Sequence, residues 1–188
     1  MLYESVCRVV KKIRKRTSST DPFETCQELG ILINTPALGD SDDAIKGFYC
    51  TERRIRCITV NVSLPLTIQK IVAAHELGHA VLHANADIKQ FHDFGLFDES
   101  SIMEKQANLF AAEYLLDDEE VLETLNQDTT FFTAAAKLYV PMELLDFKFR
   151  VMKWKGYKLM EPPINARSNF LKDMVLPDDT DYYGERAI

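Results

Sequence analysis

Long hydrophobic runs are missing from this 188-residue sequence. No segment approaches the roughly 20 uninterrupted apolar residues that a membrane-spanning helix needs. The N-terminus turns basic at Lys11-Lys12 after a short, interrupted apolar stretch, which does not make a signal peptide. A soluble, unprocessed protein is the expectation. Cysteine is sparse: Cys7, Cys26, Cys50 and Cys57 form no Cys-x-x-Cys pair and none lies beside a histidine cluster. That argues against a disulfide framework of the secreted kind and leaves the thiols as reduced, small core residues of a cytoplasmic protein. Positive charge is short as well. With 22 Lys and Arg against 29 Asp and Glu, the net charge is -7, which disfavours a protein whose main task is to grip phosphate backbones. A peptide or protein partner fits more easily. The one basic run, Lys11-Lys12-Ile13-Arg14-Lys15-Arg16, reads as the solvated face of a helix rather than a docking patch.

What the chain has is enough apolar material, 46% by count, to fill one domain or a core with a small appendage. Val6, Val9, Val10 and Ile13 predict a first helix, and Thr17-Ser18-Ser19-Thr20 a polar linker after it. Asp21-Pro22-Phe23-Glu24 reads as a capped helix start with proline at the first helical position, and Gly30 as its left-handed stop. Ile31 to Asn34 follows as a short strand. Phe48 to Thr51 and Ile55 to Val62 flank a charged turn, Glu52-Arg53-Arg54, and predict a hairpin. In its second strand Ile58, Val60 and Val62 share the apolar face, and Cys57, Thr59 and Asn61 the other. Pro65 introduces a helix from about Leu66 to His83, and Ser101 opens another to about Leu116, with a loop from Ala84 to Ser100 between them. Past an acidic patch, Asp117-Asp118-Glu119-Glu120, two helices from Phe131 to Tyr139 and from Met142 to Trp154 look like a small helix-turn-helix. The expected units are an N-terminal helix (1–20), a core (21–120), a helical subdomain (121–160) and a flexible acidic tail (161–188).

Residues 75–79 read His-Glu-Leu-Gly-His, the H-E-x-x-H pattern of zinc hydrolases. Two histidines four apart project from one helix face, so both imidazoles can reach a tetrahedral ion at about 2.0 to 2.1 Å. Glu76, one residue along, is rotated to the flank, where a general base for a bound water is needed. Ile71, Val72, Ala73, Ala74, Leu77, Ala80, Val81 and Leu82 leave this helix apolar almost all round, so it must be buried. A carboxylate and two imidazoles inside such an element would cost several kcal/mol if left unpaired, and a divalent cation compensates them directly. The bland alternative has the histidines bonded to backbone carbonyls and Glu76 at the surface. His83 extends the same row, but a continuous helix cannot wrap three such residues around one ion. It is read as a residue that ends the helix or orients a ligand.

A third protein ligand must come from elsewhere, and Glu104 is the best candidate. With Asn108 it shares a helical stripe with Ala107, Ala111 and Leu115, whereas Glu113 points roughly opposite. Asn108 is placed to orient a metal-bound histidine. Two alternatives stay open: Ser101 and Glu104 can form a capping box, and His92, Asp98 or Glu99 in the preceding loop can supply the ligand.

His75 to His79 continued as Ala80-Val81-Leu82-His83, then Glu104-x-x-Ala107-Asn108-x-Phe110-Ala111, closely resembles the ImmA/IrrE family of bacterial metallopeptidases. Asp21-Pro22-Phe23 before a helix ending Leu29-Gly30-Ile31, and the hairpin ending in the Asn61 strand, resemble the same family. The resemblance implies an α+β fold with a minimal zincin-like core and a helical C-terminal region. It also implies zinc on His75, His79 and Glu104, a catalytic Glu76, and a sheet edge above the metal on which substrate adds as a strand. The implied activity is site-specific cleavage of a helix-turn-helix repressor, an antirepressor role common in phages and integrative elements. The competing expectation is a non-catalytic, zinc-containing antagonist that only binds the repressor. A third places DNA on the Phe131 to Trp154 helix pair through Lys137, Lys148, Arg150, Lys153 and Lys155, against the acidic balance of the chain.

Overall fold

The computed structural model describes residues 2–41, 43–83, 102–126, 129–167 and 170–173. His92, Asp98, Glu99 and Ser101 lie outside the described residues. Helix α1 (Leu2–Arg16) buries Val6, Val10 and Ile13, the positions its periodicity predicts. Its Lys11, Lys12, Lys15 and Arg16 are exposed. Arg14 is different: it donates to the carbonyls of Glu113 at 3.3 Å and Tyr114 at 3.1 Å. Helix α2 (Pro22–Glu28) starts where Asp21 accepts the Phe23 amide at 2.9 Å. It closes on Gly30 at φ +68°, where the Gly30 and Ile31 amides return to the carbonyls of Gln27 and Cys26, a conformation that favours glycine.

Strands β1 (Leu32–Asn34), β2 (Gly47–Glu52) and β3 (Ile55–Val60) form one mixed sheet in the order β1-β3-β2. β1 runs parallel to β3, and β2 is antiparallel to it. The hairpin turn is tight: Glu52 pairs with Ile55, leaving Arg53 and Arg54 at φ 47° and 70°. That is the geometry of a two-residue turn more often built from Asn-Gly. β3 buries Ile58 and Val60, but Thr59 between them is buried as well, and beyond them the predicted alternation reverses, since Val62 is exposed and Asn61 is buried. The reason is chemical. Asn61 accepts from the amides of Leu38 (3.0 Å) and Ser63 (2.9 Å) and donates to the carbonyls of Gly39 (2.7 Å) and Ile45 (3.0 Å). It leaves the ladder to pin the 35–46 connection.

Helix α3 (Leu66–Leu82) is buried along most of its length from Ile68 to Ala80, with the sheet against it and α4 (Ile102–Leu115) alongside. Gly78 permits the close approach of α4: a Cβ there would stand 3.1 Å from Phe110 Cδ1 and 3.2 Å from Ala107 Cα. α4 also packs on α1 and on α7 (Met142–Trp154), so Glu113 is buried too, although it points away from the Glu104 stripe. The acidic patch is the start of a helix: Asp117 caps α5 (Asp118–Leu125), accepting the amides of Glu119 and Glu120. Negative charge in a first turn is favoured by the helix dipole.

Helix α6 (Phe131–Lys137) precedes α7, and the basic residues of this pair are largely committed inside the chain. Lys148 pairs with Glu113 (2.8 Å) and Asp118 (2.6 Å), and Lys155 with the same two carboxylates, each at 2.7 Å. Lys153 pairs with Glu161 at 2.7 Å, and Arg150 with Asp146. The start of the 161–188 segment departs from a loosely held tail. Asp146 accepts the Ala166 amide at 2.9 Å, Arg150 donates to the Ala166 carbonyl at 2.7 Å, and Phe170, opening α8 (Phe170–Asp173), is buried with its ring centroid 5.6 Å from that of Phe147. Residues 174–188 lie outside the described residues. Eight helices and three strands, counted among the described residues, make an α+β fold, and no described helix is long and apolar enough to cross a membrane.

Candidate metal centre

His75 and His79 stand one turn apart on α3, and α4 brings Glu104 to them. The two Nε2 atoms are 3.0 Å apart; Glu104 Oε2 lies 3.3 Å from the first and Oε1 3.3 Å from the second. Around a tetrahedral ion with donors at about 2.0 to 2.2 Å, neighbouring donors are spaced by about 3.3 to 3.6 Å. The nitrogen–nitrogen and nitrogen–oxygen approaches are of that order, with one carboxylate oxygen turned to each imidazole. Among the described residues, these are the three whose metal-ligating atoms converge in one group. Both histidines are buried and Glu104 is partly so. Its carboxylate faces the imidazoles, and Ser101, its partner in the capping alternative, lies outside the described residues.

The electrostatics of the cluster call for a cation. Burial opposes a charge on His75, but the hydrogen bond and charge of Glu104, joined by Glu76 and Asn108, raise its pKa. His79 goes the other way: burial, helped by the nearby His75, outweighs Glu104 and pushes it down to about 4. Burial favours the neutral form of Glu104 as well, yet the two histidines hold its carboxyl far below the usual range. An ionised carboxylate and a neutral His79 imidazole thus meet at neutral pH. A divalent ion satisfies all three donors at once, which a single proton cannot do. The residues present fit a bound metal.

Glu76 follows His75 on α3 and is buried, and its charge contributes to raising the pKa of His75. β2 starts beside it. At Gly47 a Cβ would stand 2.4 Å from Val72 Cγ1, 2.8 Å from the Thr59 carbonyl oxygen and 3.8 Å from Glu76 Cγ. Gly47→Ala is expected to cost about 1–3 kcal/mol through overpacking, read as a shift in the urea midpoint. A change below about 0.5 kcal/mol would show that β2 is not seated tightly on α3.

Asn108 is fully buried beside His75, whose Nδ1 has no hydrogen-bond partner among the described residues. His83 stays out of the triangle: its Nδ1 faces His79 Nδ1 at 3.2 Å, and its Nε2 faces Gln106 Oε1 at 2.9 Å. Gln106, Gly47 and Gly78 do not stand out from the sequence. Gln106 looks like any polar residue near a helix start, and a packing glycine becomes visible only when the neighbouring element is in place.

The IrrE N-terminal-like domain of the M78 peptidases matches residues 26–150, a span that holds both α3 and α4. Immunity region protein 2 of Bacillus phage phi105, described as uncharacterized, is 31% identical over 146 residues, covering 78% of this chain and 90% of that protein. Metallopeptidase ImmA of Bacillus subtilis (strain 168) is 28% identical over 145 residues, covering 74% of this chain and 80% of that one. The chain belongs to the ImmA/IrrE family of metallopeptidases.

Proposed function

We propose that this protein is a zinc-dependent endopeptidase of the cytoplasm that cleaves one specific protein, a helix-turn-helix transcriptional repressor. The observation that carries the reading is the convergence of His75 Nε2, His79 Nε2 and the Glu104 carboxylate: the two nitrogens are 3.0 Å apart, and each lies 3.3 Å from a different carboxylate oxygen. His75, His79 and Glu104 hold the ion in this reading, and Asn108 steadies His75 from α4. The bound ion would act as a Lewis acid toward the scissile carbonyl and lower the pKa of a water toward about 7. Glu76 takes a proton from the attacking water onto its carboxylate and passes it to the leaving amine. Burial of α3 limits the water around these groups, which strengthens each of their interactions.

β2 is an edge strand that starts beside Glu76. An extended substrate segment adding along that edge would carry a peptide bond past the carboxylate. A repressor substrate is supported by kinship, since one relative is a phage immunity region protein and another a metallopeptidase. The internal pairing of Lys148, Arg150, Lys153 and Lys155 favours protein over DNA as the partner. Zinc-loaded protein incubated with its helix-turn-helix repressor, sought first among the products of neighbouring genes, should yield a single pair of fragments, lost on chelation and restored by Zn2+. A repressor that stays full length with folded, metal-loaded protein would count against this assignment.

A further inference from the structure

An imidazole that binds a metal through one nitrogen must carry its proton on the other, so the partner of the distal nitrogen decides whether the near one has a lone pair to give. For His79 the distal nitrogen is Nδ1, which faces His83 Nδ1 at 3.2 Å; His83 Nε2 in turn faces Gln106 Oε1 at 2.9 Å. Gln106 lies two residues beyond Glu104 on α4. One helix therefore approaches His79 from both ends, with Glu104 at its Nε2 and Gln106 at the far end of a chain leading from its Nδ1.

Each contact in this chain accommodates a single hydrogen, so its direction is all or none. With the Gln106 oxygen presented, a neutral His83 donates from Nε2 and offers a lone pair at Nδ1. His79 then donates from Nδ1, and its Nε2 keeps the lone pair a metal requires. With the Gln106 amide turned over, every hydrogen reverses: His83 donates from Nδ1, His79 accepts there, and His79 Nε2 becomes an N–H closed to the ion.

We infer that His83 and Gln106 are positioning residues that fix the tautomer of His79 and keep its Nε2 open for the metal; this rests on the metal site proposed above. His83 is not needed as a side-chain helix cap, because its backbone amide already closes the helix on the His79 carbonyl at 3.0 Å. The imidazole of His83 links Gln106 on α4 to Nδ1 of His79.

The test measures Zn2+ affinity of the full chain and two variants at one pH, by competition with a chromophoric chelator, while thermal unfolding of the metal-free proteins follows the fold. His83→Phe keeps a ring but removes the acceptor, and should weaken Zn2+ binding by about 10–100-fold. His83→Asn places an amide oxygen near the position of Nδ1 and should recover most of that loss. Nitrogen-15 NMR of the zinc-loaded parent should show His79 protonated at Nδ1 and His83 at Nε2. If the parent binds Zn2+ and His83→Phe stays within about 2-fold of it, the relay is overturned and the metal site stands. His83→Asn no better than His83→Phe overturns the relay too, as do reversed tautomers in the parent, which need no variant to fold. A parent that binds no Zn2+ removes the metal site and the relay together.

Discussion

Glu76→Gln is expected to give a folded protein that retains its metal and no longer cuts peptide bonds, with kcat/KM down by about 10²–10⁴-fold. Glutamine keeps the size and much of the hydrogen bonding of the buried glutamate, so α3 and the three converging side chains should stay in place. What is lost is the group that accepts the water's proton and returns it to the amine. The same variant separates proteolysis from simple antagonism. In a reporter assay of repression, the parent should relieve repression and generate fragments, and Glu76→Gln should do neither. If the variant relieves repression as well as the parent with no fragment present, the protein works by binding.

Lys148→Met is expected to destabilise the fold by about 3 kcal/mol, the low end for removing one partner of a buried ion pair. Lys148 is 1% exposed, and its ammonium is shared between Glu113 at 2.8 Å and Asp118 at 2.6 Å. Among the described residues, removal leaves Lys155, which is partly exposed and contacts both, as the cation paired with those carboxylates. Lys155 is why the loss should stay at the low end. Adding Glu113→Leu to Lys148→Met should recover much of the stability, because Asp118 and Lys155 then remain a matched pair. Urea denaturation of the metal-free proteins reads both effects. A loss below about 1 kcal/mol for the single variant would mean the cluster is hydrated in solution, as surface pairs are.

The local signals in the sequence transferred well to the structure. Asp21 before Pro22, the left-handed Gly30, and the period of Val6, Val10 and Ile13 each act through neighbours in the chain, so they can be read without a fold. The His-Glu-Leu-Gly-His spacing belongs to the same class, since a helix alone puts its two imidazoles on one side. Glu104 was legible through its stripe with Ala107 and Ala111, which indicated the side of α4 that would meet another element. Properties that depend on partners from distant elements were not legible. Asn61 is buried because a connection 16 to 23 residues upstream needs its amide, and Glu113 because two lysines of α7 and its flank await it. The capping role of Asp117 was hidden in a run of four acids, which the sequence showed only as an acidic patch. The early part of the 161–188 segment looked mobile by its prolines and acids, but Asp146 and Phe147 on α7 provide specific places for Ala166 and Phe170.

The most direct measurement is zinc titration of purified, folded protein, followed by elemental analysis, on the parent and on Glu104→Ala and His75→Ala. The parent should bind one equivalent of Zn2+, and each variant should lose it while keeping its secondary structure. A folded parent that retains no zinc when resupplied, or a Glu104→Ala protein that binds zinc as tightly as the parent, contradicts the site.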